Sequence, residues 1–294
     1  MTGPPDITGA EHRFAEIDTV DAGRVRVHYA EAGDGPPLLL LHGWPQHFWC
    51  WRRVVPLLAD DFRLICPDLR GFGWTDAPGT GYDSETFAAD AVALLDALGL
   101  ERVGVAGHDW GGFAGFLMAL HRPERVEKLL TLSTPIPWPR PSPGLAAATW
   151  RTWYAWLLAA IGREAVVRRP GLVRLMLRHG TPDHVIDERA AETYAAPLRQ
   201  PARAQATQLL YRSYVRSALA IGTGGPYRGL RLRVRTRLLL GRDDQAIPEV
   251  LVRGFEPHAD DMTAELVDGC GHFLPEERPD LVARHARELF ASDG

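Results

Sequence analysis

The stretch AGHDWGG, residues 106–112, restricts the fold of this chain more than any other segment. An apolar run enters it and a helix-like run leaves it. Asp109 lies between Gly107 and Gly111, two residues whose lack of a Cβ permits a very tight turn. The stretch therefore predicts a buried strand that turns sharply into a helix, with an acidic side chain at the apex.

Such a strand–turn–helix joint is the geometry of a nucleophile elbow, which exposes its central side chain at the carboxyl end of a sheet. The alternative is that Asp109 merely caps the following helix, because Asp is a good N-cap residue. Which interpretation holds depends on whether partner residues for a nucleophile occur later in the chain.

Two later segments supply such partners. LLLGRDDQAIP places Asp243 and Asp244 after a strand-like run, and DGCGHFLPEERP places His272 in a Gly-rich loop. Nucleophile, acid and histidine occur here in an order known for catalytic triads. We prefer Asp244 to Asp243 as the acid, since it stands three residues after Gly241 and four before Pro248.

The remainder of the chain alternates short apolar runs with helix-like segments, which predicts an α/β fold with a mostly parallel sheet. A helix is predicted over 84–100 with Ser84 as its N-cap, and a last helix over about 279–291. A proline-rich connector and a helix-only section, about 145–225, interrupt the pattern. The strand-like runs are residues 24–31, 37–43, 63–68, 102–107, 125–134, 234–241 and 262–269.

Bulk properties narrow the function classes. A formal net charge of −4 argues against a nucleic-acid or membrane-surface partner. The N-terminus lacks the pattern of a signal peptide, and no apolar run approaches the length of a membrane span. The three cysteines are widely spaced and form no metal-binding pattern, so we expect reduced thiols in a cytoplasmic protein without a metal.

The chain resembles the α/β-hydrolase superfamily over nearly its whole length and, within it, the epoxide hydrolases. This resemblance implies an eight-stranded core with helices on both faces, formed by residues 1–138 and 228–294, and a helical cap formed by 139–227. It also implies no cofactor and a cis peptide bond before Pro45. The matching stretches are HGWPQ (42–46), PDLRGFGWTDAP (67–78), GHDWGG (107–112), LSTPIP (132–137) and GCGHFLPEERP (269–279).

An acidic nucleophile suits attack on saturated carbon, because a carboxylate is already ionised at neutral pH and forms an ester. Water activated by His272 would then attack that ester on Asp109, while Asp244 would orient the imidazole. The resemblance places two backbone N–H groups, of Trp44 and Trp110, in the oxyanion hole. The expected product from an epoxide is a vicinal diol.

Opening an epoxide also requires an acid for the departing oxygen. Tyr154 and Tyr211 resemble the two tyrosines that epoxide hydrolases supply from the cap, and Tyr214 competes with Tyr211 for the second role. The alternative for each is a tyrosine that only packs. The predicted substrate pocket consists of Trp44, Trp110, Trp153, Tyr214 and Phe273.

Two other functions remain open at this point. A haloalkane dehalogenase would use the same triad, with Trp110 and a second Trp or an Asn holding the halide, but the chain contains no Asn and has Trp44 at the expected place. A hydrolase-fold binding protein without activity is the other alternative. The expected partners are a small apolar epoxide and water, and the expected state is a monomer or homodimer.

Overall fold

The computed structural model describes residues 3–139, 152–181, 185–220 and 225–291, and these contain an eight-stranded sheet. The spatial order of the strands is β1-β2-β4-β3-β5-β6-β7-β8. β1 and β2 pair antiparallel, β2 pairs antiparallel with β4, and all later pairs are parallel. The strands are β1 (Glu11–Thr19), β2 (Gly23–Ala32), β3 (Pro37–Leu41), β4 (Arg63–Pro67), β5 (Val103–His108), β6 (Val126–Leu132), β7 (Thr236–Gly241) and β8 (Met262–Val267).

Helices cover both faces of this sheet. α2 packs against α3, and α9 packs against α1 and β6. The mostly parallel α/β sheet predicted from the sequence is thereby confirmed. The core helices are α1 (Val55–Leu58), α2 (Ser84–Ala97), α3 (Trp110–His121), α8 (Leu274–Glu277) and α9 (Pro279–Phe290).

The central strands are buried along their whole length. All six residues of β5 are buried, and so are four of the five in β3, as expected for parallel strands with helices on both sides. β1 was not predicted from the sequence, and Ile17 is the one buried residue among its nine. An edge strand with two exposed faces lacks the apolar alternation that reveals other strands.

The start of α2 differs from the prediction. Ser84 is the first helical residue, and the N-cap is Asp83. The Asp83 carboxylate accepts hydrogen bonds from the backbone N–H and the hydroxyl of Thr86, at 2.9 and 3.0 Å. A carboxylate one residue earlier therefore satisfies the free N–H groups that Ser84 was expected to cap.

Among the described residues between β6 and β7, in the section predicted to be helical, lie four helices, here called the cap helices. The predicted cap boundaries, after residues 138 and 227, stay predictions because 140–151 and 221–224 lie outside the described residues. The Trp138 indole N–H donates to the carbonyl of Tyr227 at 2.9 Å, so the two connections meet. The four helices are α4 (Trp153–Arg168), α5 (Pro170–His179), α6 (Glu188–Leu198) and α7 (Pro201–Ala220).

Within the described ranges, no helix is both long enough and apolar enough to cross a membrane.

Candidate active site

Asp109 lies at the apex of the turn from β5 into α3. Its φ of 51° and ψ of −118° are unusual for a residue with a side chain, and its carboxylate makes no capping hydrogen bond to the N–H groups of Gly111 or Gly112 in α3. A Cβ on Gly107 would lie 2.5 Å from the carbonyl oxygen of Gly111, and one on Gly111 would lie 2.5 Å from that of His42. The close approach explains both glycines, and the missing cap bonds favour the elbow over the capping alternative for Asp109.

Two backbone N–H groups hold the Asp109 carboxylate. Trp44 N–H donates to Oδ2 at 3.1 Å, and Trp110 N–H also bonds the carboxylate. A Cβ on Gly43 would lie 2.6 Å from the same Oδ2, so a glycine is required for the loop after β3 to reach it. These are the two N–H groups that the family resemblance in the sequence places in an oxyanion hole. The peptide bond between Trp44 and Pro45 is cis, as that resemblance also implies.

His272 lies beside Asp109 and is bonded to Asp244. Its Nδ1 is 2.9 Å from Asp244 Oδ2, and its Nε2 is 4.0 Å from Asp109 Oδ1. Asp244 Oδ1 accepts hydrogen bonds from the N–H groups of Ala246 and Ile247, at 2.7 and 2.9 Å. Asp244, the preferred acid, is buried and bonded to His272, whereas Asp243 is exposed.

The pKa values of the two facing groups are both raised. Burial raises the pKa of Asp109 to about 6, against the opposing effect of the His272 charge and the two N–H donors. Burial alone would lower the pKa of His272, but the Asp244 charge and hydrogen bond, with the charges of Asp109 and Glu277, raise it to about 9. At neutral pH the free protein therefore contains an anionic Asp109 and a cationic His272.

Three tyrosines of the cap helices close over Asp109. The Tyr211 ring packs edge-on against Trp44, with ring centroids 5.0 Å apart, and lies 6.1 Å from the Tyr154 ring. Burial raises the pKa of all three phenols, and the nearby Asp109 charge adds to it. Tyr214 also bonds the Thr152 side chain. The three hydroxyls are therefore protonated at neutral pH.

A cavity of about 1010 Å³ lies between the cap helices and the carboxyl ends of the strands. Asp109, His272 and the three tyrosines line it, and Trp153 contributes to the wall while its side chain stays 60% exposed. The structure thus brings together every residue that the sequence proposed for catalysis or for the pocket, with Asp244 behind His272. The proposed pocket residues that line the cavity are Trp44, Trp110, Trp153, Tyr214 and Phe273.

Several residues that shape the site were missed or left without a role by the sequence. Thr207 accepts a hydrogen bond from the Trp44 indole N–H at 3.1 Å, and no local sequence pattern indicates this contact. His108 Nε2 donates to the carbonyl of His272 at 2.8 Å. His42 bonds backbone groups through both ring nitrogens, which indicates a structural role in the loop after β3.

Metal ligands do not cluster in the part of the chain that the structure describes. No group of three or more His, Cys, Asp or Glu side chains there is arranged to hold a metal ion.

A comparison with known protein families identifies the fold class of this chain. A family model described as the alpha/beta hydrolase fold matches residues 36–279, which is most of the chain. The chain therefore has the α/β-hydrolase fold, with an aspartate at the turn from β5 into α3. The chain is 33% identical over 297 residues to the soluble epoxide hydrolase of Corynebacterium sp. (strain C12), covering 90% of this chain and 94% of that protein.

Two other similarities bear on the site. The solved structure of the epoxide hydrolase CorEH without ligand has 30% sequence identity and a TM-score of 0.77, over 96% of this chain and 99% of that one. The fluoroacetate dehalogenase of Burkholderia sp. is 42% identical over 118 residues, which is 38% of this chain and 39% of that protein. The chain belongs to the epoxide hydrolase family of the α/β hydrolases, and it is a hydrolytic enzyme.

Proposed function

We propose that this enzyme hydrolyses apolar epoxides to vicinal diols through a covalent ester on Asp109. A carboxylate oxygen of Asp109 attacks one epoxide carbon, and the bond from that carbon to the epoxide oxygen breaks. The free oxygen takes a proton from Tyr154 or Tyr211, which leaves a tyrosinate. The anionic state of Asp109 and the protonated state of both phenols at neutral pH support this step.

In the second step, water hydrolyses the ester. Forming the ester removes the Asp109 charge, one cause of the raised pKa of His272, so the imidazolium passes its proton to the tyrosinate and becomes a base. Neutral His272 Nε2 then takes a proton from water, the hydroxide adds to the Asp109 carboxyl carbon, and the N–H groups of Trp44 and Trp110 stabilise the oxyanion. The diol leaves with the proton of the added hydroxyl group, Asp109 regains its charge, and His272 is protonated again, as in the free protein.

The observation that carries this proposal is the convergence of an acidic elbow residue and two cap tyrosines on one cavity. Expelling an alkoxide requires an acid, and the tyrosines supply it, whereas expelling a halide requires none. Similarity to the Corynebacterium soluble epoxide hydrolase over nearly the whole chain also supports it.

A haloalkane dehalogenase is the second candidate, because the Trp110 indole lines the cavity next to Asp109 and because of the local similarity to a fluoroacetate dehalogenase. Halide binding needs several N–H donors in the cavity. The Trp44 indole N–H, at the place of the missing Asn, instead donates to Thr207. This bond disfavours the halide reaction.

A paired turnover assay tests the proposal. The protein is incubated with styrene oxide and, separately, with a 1-bromoalkane, and diol and bromide are measured. We expect diol without bromide, and no turnover by Asp109→Ala. Bromide without diol would establish the dehalogenase, and no product from either would favour a binding protein of this fold.

The acid assignment has its own test. Tyr154→Phe combined with Tyr211→Phe is expected to abolish epoxide opening and to leave the thermal unfolding transition in place. The matched control is Tyr214→Phe, which removes a neighbouring phenol of the same helix and is expected to retain turnover. Full activity of the double variant would reject the assignment, and loss of activity in Tyr214→Phe alone would transfer the second role to Tyr214.

A further inference from the structure

One carboxylate holds the backbone on both sides of His272. The N–H of Gly271 donates to Glu277 Oε2 at 2.7 Å, and the N–H of Phe273 donates to Glu277 Oε1 at 2.9 Å. Each oxygen therefore binds one of the two residues that flank the histidine. An ionised carboxylate is suited to accept from two N–H donors in this way.

The backbone groups of His272 itself are held from other elements. Its N–H donates to the carbonyl of Gly180, which follows α5 in the cap, at 2.9 Å. Its carbonyl accepts from His108 Nε2 at 2.8 Å. Glu277 thus holds the two flanking N–H groups that these partners do not reach.

We propose that Glu277 is the positioning residue for the base of this enzyme: its carboxylate fixes the loop on both sides of His272 and directs negative charge toward the imidazole during ester hydrolysis. The inference rests on the proposed function and extends it to the second half-reaction. The charged or titratable groups that interact with His272 are Asp244, Asp109 and Glu277, together with His108 from β5.

Simple helix capping does not account for this arrangement. Phe273 is the N-cap of α8, and Glu277 N–H donates back to the Phe273 carbonyl at 3.0 Å, so one carboxylate oxygen would suffice for a cap. The other oxygen reaches Gly271, outside the helix and on the far side of His272. The Glu277 charge is also among the causes that raise the pKa of His272.

Two substitutions separate charge from geometry. Glu277→Gln removes the charge and replaces one acceptor by a donor, and Glu277→Asp keeps the charge on a side chain too short to span both N–H groups. With styrene oxide in single-turnover experiments at a pH above the acid limb, we expect Glu277→Gln, whose imidazole is the weaker base, to hydrolyse the ester about tenfold more slowly. Ester should accumulate while the rate of ester formation stays close to that of the unmodified enzyme.

The pH profile distinguishes positioning from a purely structural role. Because loss of the Glu277 charge lowers the pKa of His272, the acid limb of ester hydrolysis should move to lower pH in Glu277→Gln. In Glu277→Asp the hydrolysis should slow with little movement of that limb. NMR titration of His272 measures the same shift without any turnover.

The matched control is Glu276→Gln, the same change one residue earlier. Glu276 accepts from Arg52 and Tyr194 instead of from the loop around His272, so this variant should lose thermal stability and retain the rate of ester hydrolysis. Equal ester accumulation in both variants, or an unchanged hydrolysis rate and acid limb in Glu277→Gln, would overturn the inference. If the unmodified enzyme forms no ester, the proposed function fails. The NMR titration then decides the positioning role by itself, because an unchanged His272 pKa in Glu277→Gln would contradict that role and a lowered one would support it.

Discussion

Asp109 and His272 form a buried pair whose charges are set by their surroundings. Burial raises the pKa of the carboxyl group, and Asp244 with the other nearby carboxylates raises that of the imidazole. The pair lies 4.0 Å apart, too far for a direct hydrogen bond. Each group is therefore close to the other but free to react in its own step.

The pH dependence of the first half-reaction follows from the Asp109 carboxyl group. Its pKa is raised to about 6, and the nucleophile must be ionised, so kcat/KM for an epoxide should fall as the pH drops through about 6. The tyrosine pKa values are raised, which keeps the acid protonated up to alkaline pH. If kcat/KM falls only near the ordinary aspartate pKa of about 4, the pKa of Asp109 is not raised by burial, and this interpretation of the site is contradicted.

Among single residues, Asp109, Asp244 and His272 could be selected from the sequence because order along the chain and glycine positions carry that information, and the structure places them side by side. It left Tyr211 and Tyr214 undecided, since residues three apart share a helix face. It missed Thr207, whose role depends on where the Trp44 indole points after the cap has packed. Contacts between side chains of distant segments are not encoded in local patterns.

At the scale of elements, buried strands were predictable because a run of apolar residues is itself the signal. β1 was not, since an exposed edge strand carries charged residues on both faces. The N-terminus of α2 was displaced by one residue, because Asp83 and Ser84 are both good caps and local sequence does not rank them.

This correction gives a stability prediction. Asp83→Ala should lower the free energy of unfolding by about 1 kcal/mol, the usual cost of losing an N-cap. Ser84→Ala, the matched control, should change it much less, because Ser84 is already helical. Urea unfolding of both variants measures the difference, and a larger loss in Ser84→Ala would show that the cap had been misplaced.

For the whole molecule, several polar contacts join the cap helices to the core. Tyr194 on α6 donates to Glu276, and the Arg203 guanidinium on α7 donates to the carbonyl of Thr75 at 2.8 Å. Helical character of this section was readable from the sequence. Its docking was not, because each contact joins segments more than 80 residues apart.

Loss of one such contact should weaken the molecule without altering the chemistry. Tyr194→Phe leaves Glu276 and Arg52 each without one buried partner, so the free energy of unfolding should fall by about 1–3 kcal/mol. Tyr82→Phe, which removes one hydrogen bond to Pro78 within the core, is the control with a smaller expected loss. Thermal unfolding and the rate of ester formation measure the two effects, and a slowed chemical step in Tyr194→Phe would contradict the separation.

The most direct test of the whole account is the intact mass of His272→Gln after incubation with styrene oxide. Without its base, the enzyme should retain the ester, and the mass should rise by that of one epoxide per chain, located by peptide analysis on Asp109. The additional Asp109→Ala change should abolish the adduct. No increase in mass, or an adduct on any other residue, would contradict a covalent mechanism at this elbow.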